Sequence, residues 1–460
     1  MSDAGLAAAV AKMERAGVSA PAIEVFRRYY RQLEGGATGL INETSIEPVP
    51  DLVELAELDV DPRAARDAFA RTVVVKLNGG LGTSMGMDRA KSLLPVKGDR
   101  TFLDLMVAQV MELRRRHGVA LPLLFMNSFR TREDTLAALQ PYAGVAVDGL
   151  PVDFEQSQEP KLRAATLAPI DWPADPGLEW CPPGHADVYP SLLSTGLLDT
   201  LIEHGYRWAF ISNSDNLGAV AEPVIAGWLE AENIPFLLEC CVRTPADRKG
   251  GHLAVRKSDG RLILRETAQT SATDMASLQD LERHRFCNTN NLWVDLRVLR
   301  AELQRTRGVL DLPLIRNVKT VDPTDAGSPE VIQIESAMGS AVQAFAGARS
   351  LLVGRDRFVP VKTTNDLLIL QSDVYDLIDG AFLRKSAARA GRQDPFVDLD
   401  PRFFRLLGDY SLRFRDGVPS LVDAERLVVR GDVRFGAGVR VRGAVDLSDA
   451  AAVPAGTVLG

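Results

Sequence analysis

Apolar positions follow two rhythms along the chain, and the change between them marks its organisation. Over about the first 70 residues the spacing is helical. Ile23, Phe26, Tyr30 and Leu33 share one face, and Gly35-Gly36 ends that helix. Residues 44–66, with Pro48, Pro50 and Pro62, read as an irregular wrap. From residue 71, short apolar runs alternate with helical stripes. The pattern predicts strands over 73–77, 122–126, 152–155, 208–212 and 236–242. Between them it predicts a helix carrying Leu103, Met106, Val107, Val110 and Leu113, and further helices over 132–139 and 223–231. Such alternation implies an α/β fold: a mixed, mostly parallel and buried sheet flanked by helices. Beyond about residue 380 the texture changes again. Residues 427–460 are valine-rich pieces punctuated by glycine, which suggests a small β-helix-like module, with a β-sandwich edge as the alternative. The expected domains are a helical region over 1–70, an α/β domain over 71–378 and a β-helix-like domain over 379–460.

Composition narrows the function classes. A chain of 460 residues is too long for one ordinary core. Its net charge of −8 argues against a general nucleic-acid surface. The run Arg114-Arg115-Arg116 closes a helical pattern, where cations complement the helix dipole. Four cysteines, Cys181, Cys240, Cys241 and Cys287, form no CxxC pair, so neither a zinc site nor a disulfide scaffold is expected. Reduced thiols fit a cytoplasmic setting. The first residues lack the basic n-region of a signal peptide, and no apolar run is long enough to suggest a membrane span.

The chemistry concentrates in a few loops. In 73-VVVKLNGGLGTSMG-86 a strand runs into a loop holding Gly79, Gly80, Gly82 and Gly86, and Lys91-Ser92 follows. A dinucleotide fingerprint fails because its third glycine falls on Met85. A Walker A loop fails because Ala90 precedes the lysine. The underlying physics remains: glycines let backbone N–H groups converge on a phosphate, and a lysine supplies a point charge. A plain glycine turn with a solvated lysine is the alternative. At 209-AFISNSDNLGA-219 an apolar strand ends at a carboxylate, Asp215, placed to hold Mg²⁺ near phosphates or else to form an Asx turn. In 181-CPPGHADVYPSL-192 prolines and Gly184 stiffen a loop around His185. In 286-FCNTNNLWVDL-296 asparagines precede a strand and offer donors and acceptors to sugar hydroxyls. Lys362 follows an extended segment in 357-RFVPVKTTNDLLIL-370, where a solvated surface lysine is the plainer reading.

Taken together and in this order, these motifs resemble those of the eukaryotic-type UTP–glucose-1-phosphate uridylyltransferases, or UDP-glucose pyrophosphorylases. The loop 249-KGGHLA-254 and the stretch 331-VIQIESAMGSA-341 add to the likeness, which spans roughly residues 70–376. The resemblance implies a glycosyltransferase-A-like catalytic domain that joins UTP and glucose 1-phosphate into UDP-glucose and pyrophosphate. It implies roles at matching positions. Leu77, Asn78, Gly79 and Gly80 would line the UTP site, Lys91 would hold the triphosphate, and Met126 would pack on the base. Gln156, in 154-FEQSQEPKL-162, and Gly184 would read the uracil edge. His185 and Asn213 would meet the sugar phosphate, the adjacent Ser214 would belong to the same binding site, and Asp215 would bind Mg²⁺. Glu266, Asn288, Asn290 and Gly250 would contact glucose, and Phe358 and Lys362 would close over its phosphate. Two departures stand out. Met87-Asp88-Arg89-Ala90 replaces the family's usual approach to the lysine, and Ala186 replaces a glycine after the histidine, a costly change if that position has φ > 0.

The expected mechanism follows from the nucleophile. A phosphomonoester, with its second pKa near about 6, is already mostly dianionic at neutral pH and needs no general base. The work is alignment of two anions and neutralisation of charge, by Lys91, Lys362 and Mg²⁺, without a covalent intermediate. Rival readings are a relative acting on another sugar 1-phosphate, an oxidoreductase on a Rossmann sheet, and a silent sugar-nucleotide sensor. Expected partners are the two small substrates, with neither nucleic acid nor membrane. Self-association through the C-terminal module is a further expectation.

Overall fold

The computed structural model describes residues 2–248, 250–325, 327–448 and 451–460. Lys249, in the motif quoted above, lies outside the described residues. The valine-rich runs become one sheet of eight strands: β1 (Val53–Glu54), β2 (Thr72–Asn78), β3 (Leu123–Asn127), β4 (Asp153–Glu155), β5 (Trp208–Asn213), β6 (Phe236–Val242), β7 (Phe286–Asp295) and β8 (Arg349–Leu352). Their order is β1-β8-β6-β7-β5-β2-β3-β4. Only β7 runs against its neighbours, β5 and β6; every other pair is parallel. The sheet grows from β2 towards β3 and β4 on one side, while β5 lies on the other. Such a reversal opens a crevice at the carboxyl ends of the two strands, where open α/β sheets take their ligands.

Both faces of the sheet are buried, which explains the unbroken apolar runs. Val73, Val75, Leu77, Ile211 and Leu238 face a layer that includes Val188, Leu201 and Leu299. Val74, Trp208, Phe210, Leu237 and Trp293 face the other layer, which includes Met106, Ile225 and Leu368. Lys76 falls on this second face by alternation and is buried. Its ammonium donates to the Ser212 hydroxyl and to the Ala219 carbonyl, both at 2.8 Å. Burial, with the nearby Arg357 charge, lowers its pKa to about 7. This lysine therefore ties β2 to β5 and to the loop beyond it.

The N-terminal region is helical at Ser2–Arg15, Ala20–Glu34 and Pro62–Phe69. The first two helices pack on Leu162, Leu314, Ile332 and Ile334. The proline-rich wrap contributes more than connection: Ile46–Pro48 pairs with His252–Arg256, and β1 extends the sheet edge. No helix among the described residues is long and apolar enough to cross a membrane.

The C-terminal stretch forms two small parallel sheets. One has the order β9 (Phe396–Leu399), β10 (Ser420–Val429), β12 (Arg440–Leu447), β14 (Val458–Leu459), and the other pairs β11 (Arg434–Phe435) with β13 (Ala452–Val453). Leu427, Val433, Phe435, Val441 and Val453 join the same apolar cluster as Val74 and Phe210.

The asparagine cluster departs from expectation. It does not precede a strand but lies inside β7. Asn290 has a left-handed φ of 58°, and the register of β6 on β7 shifts between Glu239 and Cys240. Local propensity disfavours this strand, but tertiary bonds hold it. The Thr289 hydroxyl donates to the Glu239 carbonyl at 2.7 Å, and the Asn291 amide donates to the Glu239 carboxylate at 3.1 Å.

That carboxylate anchors a buried ion pair. Both Glu239 oxygens accept from the Arg357 guanidinium at 2.7 Å, and Glu239 is fully buried. Glu239→Ala removes both oxygens of the fork and leaves the buried arginine charge with Glu222, at 3.3 Å, as its remaining carboxylate. We expect a loss of about 3–5 kcal/mol in unfolding free energy, read by urea titration. A midpoint equal to wild type would remove this pair from the stability account.

Candidate active site

At the carboxyl ends of β2 and β5 lies a cavity of about 270 Å³. Leu77 and Asn213 face each other across the strand pair there. The lining brings together residues far apart in sequence: Leu77, Gly79, Gly80, Lys91, Met126, Gln156, Gly184, His185, Asn213, Ser214 and Asp215, with Pro182 and Glu335.

One wall is built by close backbone approach. The Gln156 amide lies against Gly79, where a Cβ would collide with it. Gly184 has φ = 86° and packs on the backbone of Ser336. The Ser336 N–H donates to the Pro183 carbonyl and the Ala186 N–H to the Ser336 carbonyl, each at 3.1 Å. The Pro-Pro-Gly-His loop is thus stitched to the 331–341 stretch. Ala186 sits in a 3₁₀ turn and is absent from the positive-φ residues, so its replacement of glycine carries no backbone strain.

His185 shares that seam. Its Nδ1 accepts from the Met338 N–H at 3.0 Å. Burial, reinforced by the charge of Lys362, lowers its pKa to about 4. The ring is therefore neutral near pH 7, and the accepting Nδ1 leaves the proton on Nε2. This histidine is a hydrogen-bond donor and not a base.

The opposite wall carries charge. The Lys91 N–H donates to the Gly80 carbonyl at 3.2 Å, and Leu81 bridges Ala90, so the altered approach sequence still closes the glycine loop on itself. The Lys91 ammonium meets Asp215 Oδ2 at 2.7 Å. Asp215 Oδ1 is buried and has no hydrogen-bond partner. An orphaned carboxylate oxygen beside a phosphate cradle suits a hard cation. Among the described residues no group of three or more His, Cys, Asp or Glu could hold a metal. A single carboxylate completed by ligand phosphates is a set that Mg²⁺ accepts.

Other expected residues lie outside this lining. Asn78 turns its amide away, donating to Asn127 Oδ1 and Thr135 Oγ1 at 2.8 Å, and so clamps the ends of β2 and β3. Asn288 and Asn290 bond each other: the Asn288 amide donates to Asn290 Oδ1 at 2.8 Å, and the Asn290 N–H donates to Asn288 Oδ1 at 2.9 Å. Glu266 is held near the chain at Gly251, where a Cβ would meet its carboxylate; burial raises its pKa and Lys362 opposes that rise. Gly250 donates to the Asp247 carbonyl at 2.8 Å, in the loop before the strand His252–Arg256. Phe358 stacks under the Arg355 guanidinium, 5.3 Å from its ring centre. Lys362 does not line the cavity, but its charge adds to the lowering of the His185 pKa and opposes the rise at Glu266. Sequence reasoning assigned no role to Pro182 or Glu335. Each lay within a quoted motif, and the seam between the two motifs is what brings them to the cavity.

A mostly parallel sheet with a glycine loop, a lysine and one half-satisfied carboxylate at its switch point has the layout of an α/β protein that takes an anionic ligand. The comparisons define it further: residues 23–442 match the family model described as UTP–glucose-1-phosphate uridylyltransferase, and the chain belongs to that family. The barley (Hordeum vulgare) UTP–glucose-1-phosphate uridylyltransferase is 37% identical over 99% of this chain and 95% of the relative. The potato (Solanum tuberosum) relative of the same name is 38% identical over 86% and 80%. Among solved structures, the Leishmania major UDP-glucose pyrophosphorylase described in open and closed forms aligns with TM-score 0.93 at 41% identity, over 99% of this chain and 98% of that one. A variant of that enzyme in complex with UDP-glucose aligns with TM-score 0.92 over the same shares.

The state of His185 is directly measurable. Nitrogen-15 NMR of the imidazole should show the Nε2–H tautomer, with no titration between pH 6 and 8. The sign for stability follows. The folded pKa lies below the unfolded value of about 6.5, so this contribution is full above that value and is lost as pH falls towards about 4. An Nδ1–H tautomer, or a midpoint near 6.5, would refute the assignment.

Proposed function

We propose that this chain transfers a uridylyl group from UTP to glucose 1-phosphate, forming UDP-glucose and pyrophosphate. The observation that carries the reading is the Lys91–Asp215 pair, with its spare Asp215 Oδ1, set beside the glycine loop at the β2/β5 switch point. Membership of the uridylyltransferase family supports the substrates.

In this reading the uracil lies between Met126 and the wall of Gln156 and Gly184. The loop at Gly79–Gly80 lets the nucleotide approach the backbone. Lys91 exchanges Asp215 for the phosphates and stabilises the departing pyrophosphate. Mg²⁺ held by Asp215 would neutralise charge on the phosphate oxygens when bound. The sugar phosphate attacks the α-phosphorus in line, with no covalent intermediate and no general base. His185, neutral, donates from Nε2 to the sugar phosphate near Asn213 and Ser214. Lys362 balances charge between the reacting phosphates, and Phe358 covers them. Glu266, Asn288, Asn290 and Gly250 take the glucose. All of these roles are electrostatic or positional, as expected for phosphoryl chemistry.

The domain limits near 70 and 378, the β-helix character of the C-terminal sheets, self-association through them and a cytoplasmic location belong to the same proposal. The parallel pairing of β9 to β14 supports the β-helix reading over an antiparallel sandwich. A relative using a different sugar 1-phosphate is the nearest rival. The UDP-glucose complex of the L. major neighbour favours glucose.

The test follows pyrophosphate release from UTP with a panel of sugar 1-phosphates, in Mg²⁺ and in EDTA. Glucose 1-phosphate and Mg²⁺ should both be required. Lys362→Ala and Asp215→Ala should each lower kcat by about 10²-fold or more, with circular dichroism unchanged. Near-normal turnover in either purified variant would sink the assigned role.

A further inference from the structure

Asp215 and Lys362 are 147 positions apart in the chain, yet the backbone beside each is hydrogen-bonded to the other. The Val361 N–H donates to the Asp215 carbonyl at 3.2 Å. Asn216 and Pro360 form a β-bridge. The side chain of Asn216 does the rest, and it is buried at 2% exposure. Its Oδ1 accepts from the Val359 N–H at 2.9 Å and from the Gly218 N–H at 3.1 Å. Its Nδ2 donates to the Arg357 carbonyl at 3.0 Å and to Asn291 Oδ1 at 3.2 Å. One amide thus grips residues 357 and 359 and bonds the loop that carries the carboxylate.

On the far side of Lys362 the chain is equally fixed. The Lys362 and Thr363 N–H groups both donate to Asp366 Oδ2 at 2.8 Å, capping the helix Thr364–Gln371. Lys362 therefore stands between two anchors, the Asn216 grip and a helix cap. Gly218 reinforces the first, because a Cβ there would collide with the Asp356 carbonyl and the Arg357 backbone.

We infer that Asn216 is a positioning residue that sets Lys362 relative to Asp215, so that the cationic and anionic groups of the site move as one hydrogen-bonded unit. The inference rests on the role given above to Lys362. Asn216 touches neither substrate in this account. It acts by fixing where the lysine backbone starts, and a misplacement of about 1 Å at such a group can cost about 10²-fold in rate.

A double-mutant cycle tests it. Asn216→Ala, Lys362→Ala and the double variant are assayed for kcat, for KM of UTP, for UDP-glucose affinity by calorimetry without turnover, and for Tm. Asn216→Ala should lower kcat by about 10- to 100-fold, weaken UDP-glucose binding, and leave KM for UTP within about threefold. In the Lys362→Ala background the same change should cost less than about threefold, because its effect passes through the missing lysine. Asn216→Asp keeps the oxygen that receives the Val359 and Gly218 N–H groups and should recover part of the loss. If Asn216→Ala does not fold, Asn216→Asp carries the cycle. Losses that multiply in the double variant would overturn the inference while leaving the lysine role standing, as would a wild-type kcat in Asn216→Ala. A near-normal kcat in Lys362→Ala alone would instead overturn the role of the lysine, and this inference with it.

Discussion

The buried fork of Arg357 on Glu239 is the constraint that the rest of the site depends on. A guanidinium removed from water needs a carboxylate with matching geometry and further acceptors for its remaining protons. Arg357 finds them in both oxygens of Glu239, in the Val220 carbonyl at 2.7 Å and in Glu222 at 3.3 Å. Glu239 is satisfied in turn by the indole of Trp293 at 3.0 Å and by Asn291. These bonds tie the 355–361 segment to β6 and to the loop after β5. The pair holds residue 357 where its carbonyl accepts from the Asn216 and Asn291 amides, beside the loop that carries Asp215. Buried polar networks that are fully satisfied rigidify the core around them.

The same logic explains the character of the site. Its titratable groups are arranged to hold charge steady and not to exchange protons. His185 is neutral because burial and a neighbouring lysine both disfavour its cation. No histidine–carboxylate dyad and no activated nucleophile is needed by the proposed reaction, because a phosphate dianion is its own nucleophile. What that reaction needs is fixed donors and cations that require little reorganisation, and such donors have most effect where water is excluded.

Much of this was legible in the sequence, for identifiable reasons. Strands such as β2 and β6 are apolar on both faces, so their runs stand out, and the alternation with helices gave the mostly parallel sheet. Asp215 was legible because it stands just past the end of an apolar strand, Trp208–Asn213. The strand β7 was harder. Its first half, Cys-Asn-Thr-Asn-Asn, lacks strand propensity, and its hold comes from Glu239, some 50 residues away in sequence. The turning of Asn78 towards Asn127 and Thr135 was hidden for a similar reason, since a residue next to a glycine loop gives no local sign of which way its amide points. The Glu239–Arg357 pair was the least legible. A buried glutamate inside an apolar strand looks like a break in the pattern until its partner, 118 positions later, is placed. Lys76 posed the same difficulty in the opening motif: the alternation places it on a buried face, but only the fold supplies its acceptors.

The direct contact of Lys91 with Asp215 follows from these constraints. Two opposite charges, each 16% exposed, stand 2.7 Å apart. Without such a partner, a lysine beside the glycine loop would lack a counter-charge. Pairing relieves that, and its cost is that an incoming anion must displace a carboxylate. A triphosphate can do so because it offers several oxygens to both the ammonium and the N–H groups, whereas a single phosphate offers fewer. The displaced Asp215 then has both oxygens free, one of them already unpartnered. In the proposed reaction Asp215 would hold the cation, whose charge would offset that of the phosphates, in place of the lysine. In the proposed reaction the internal ion pair would thereby favour a polyphosphate over a simple anion before any base or sugar is read.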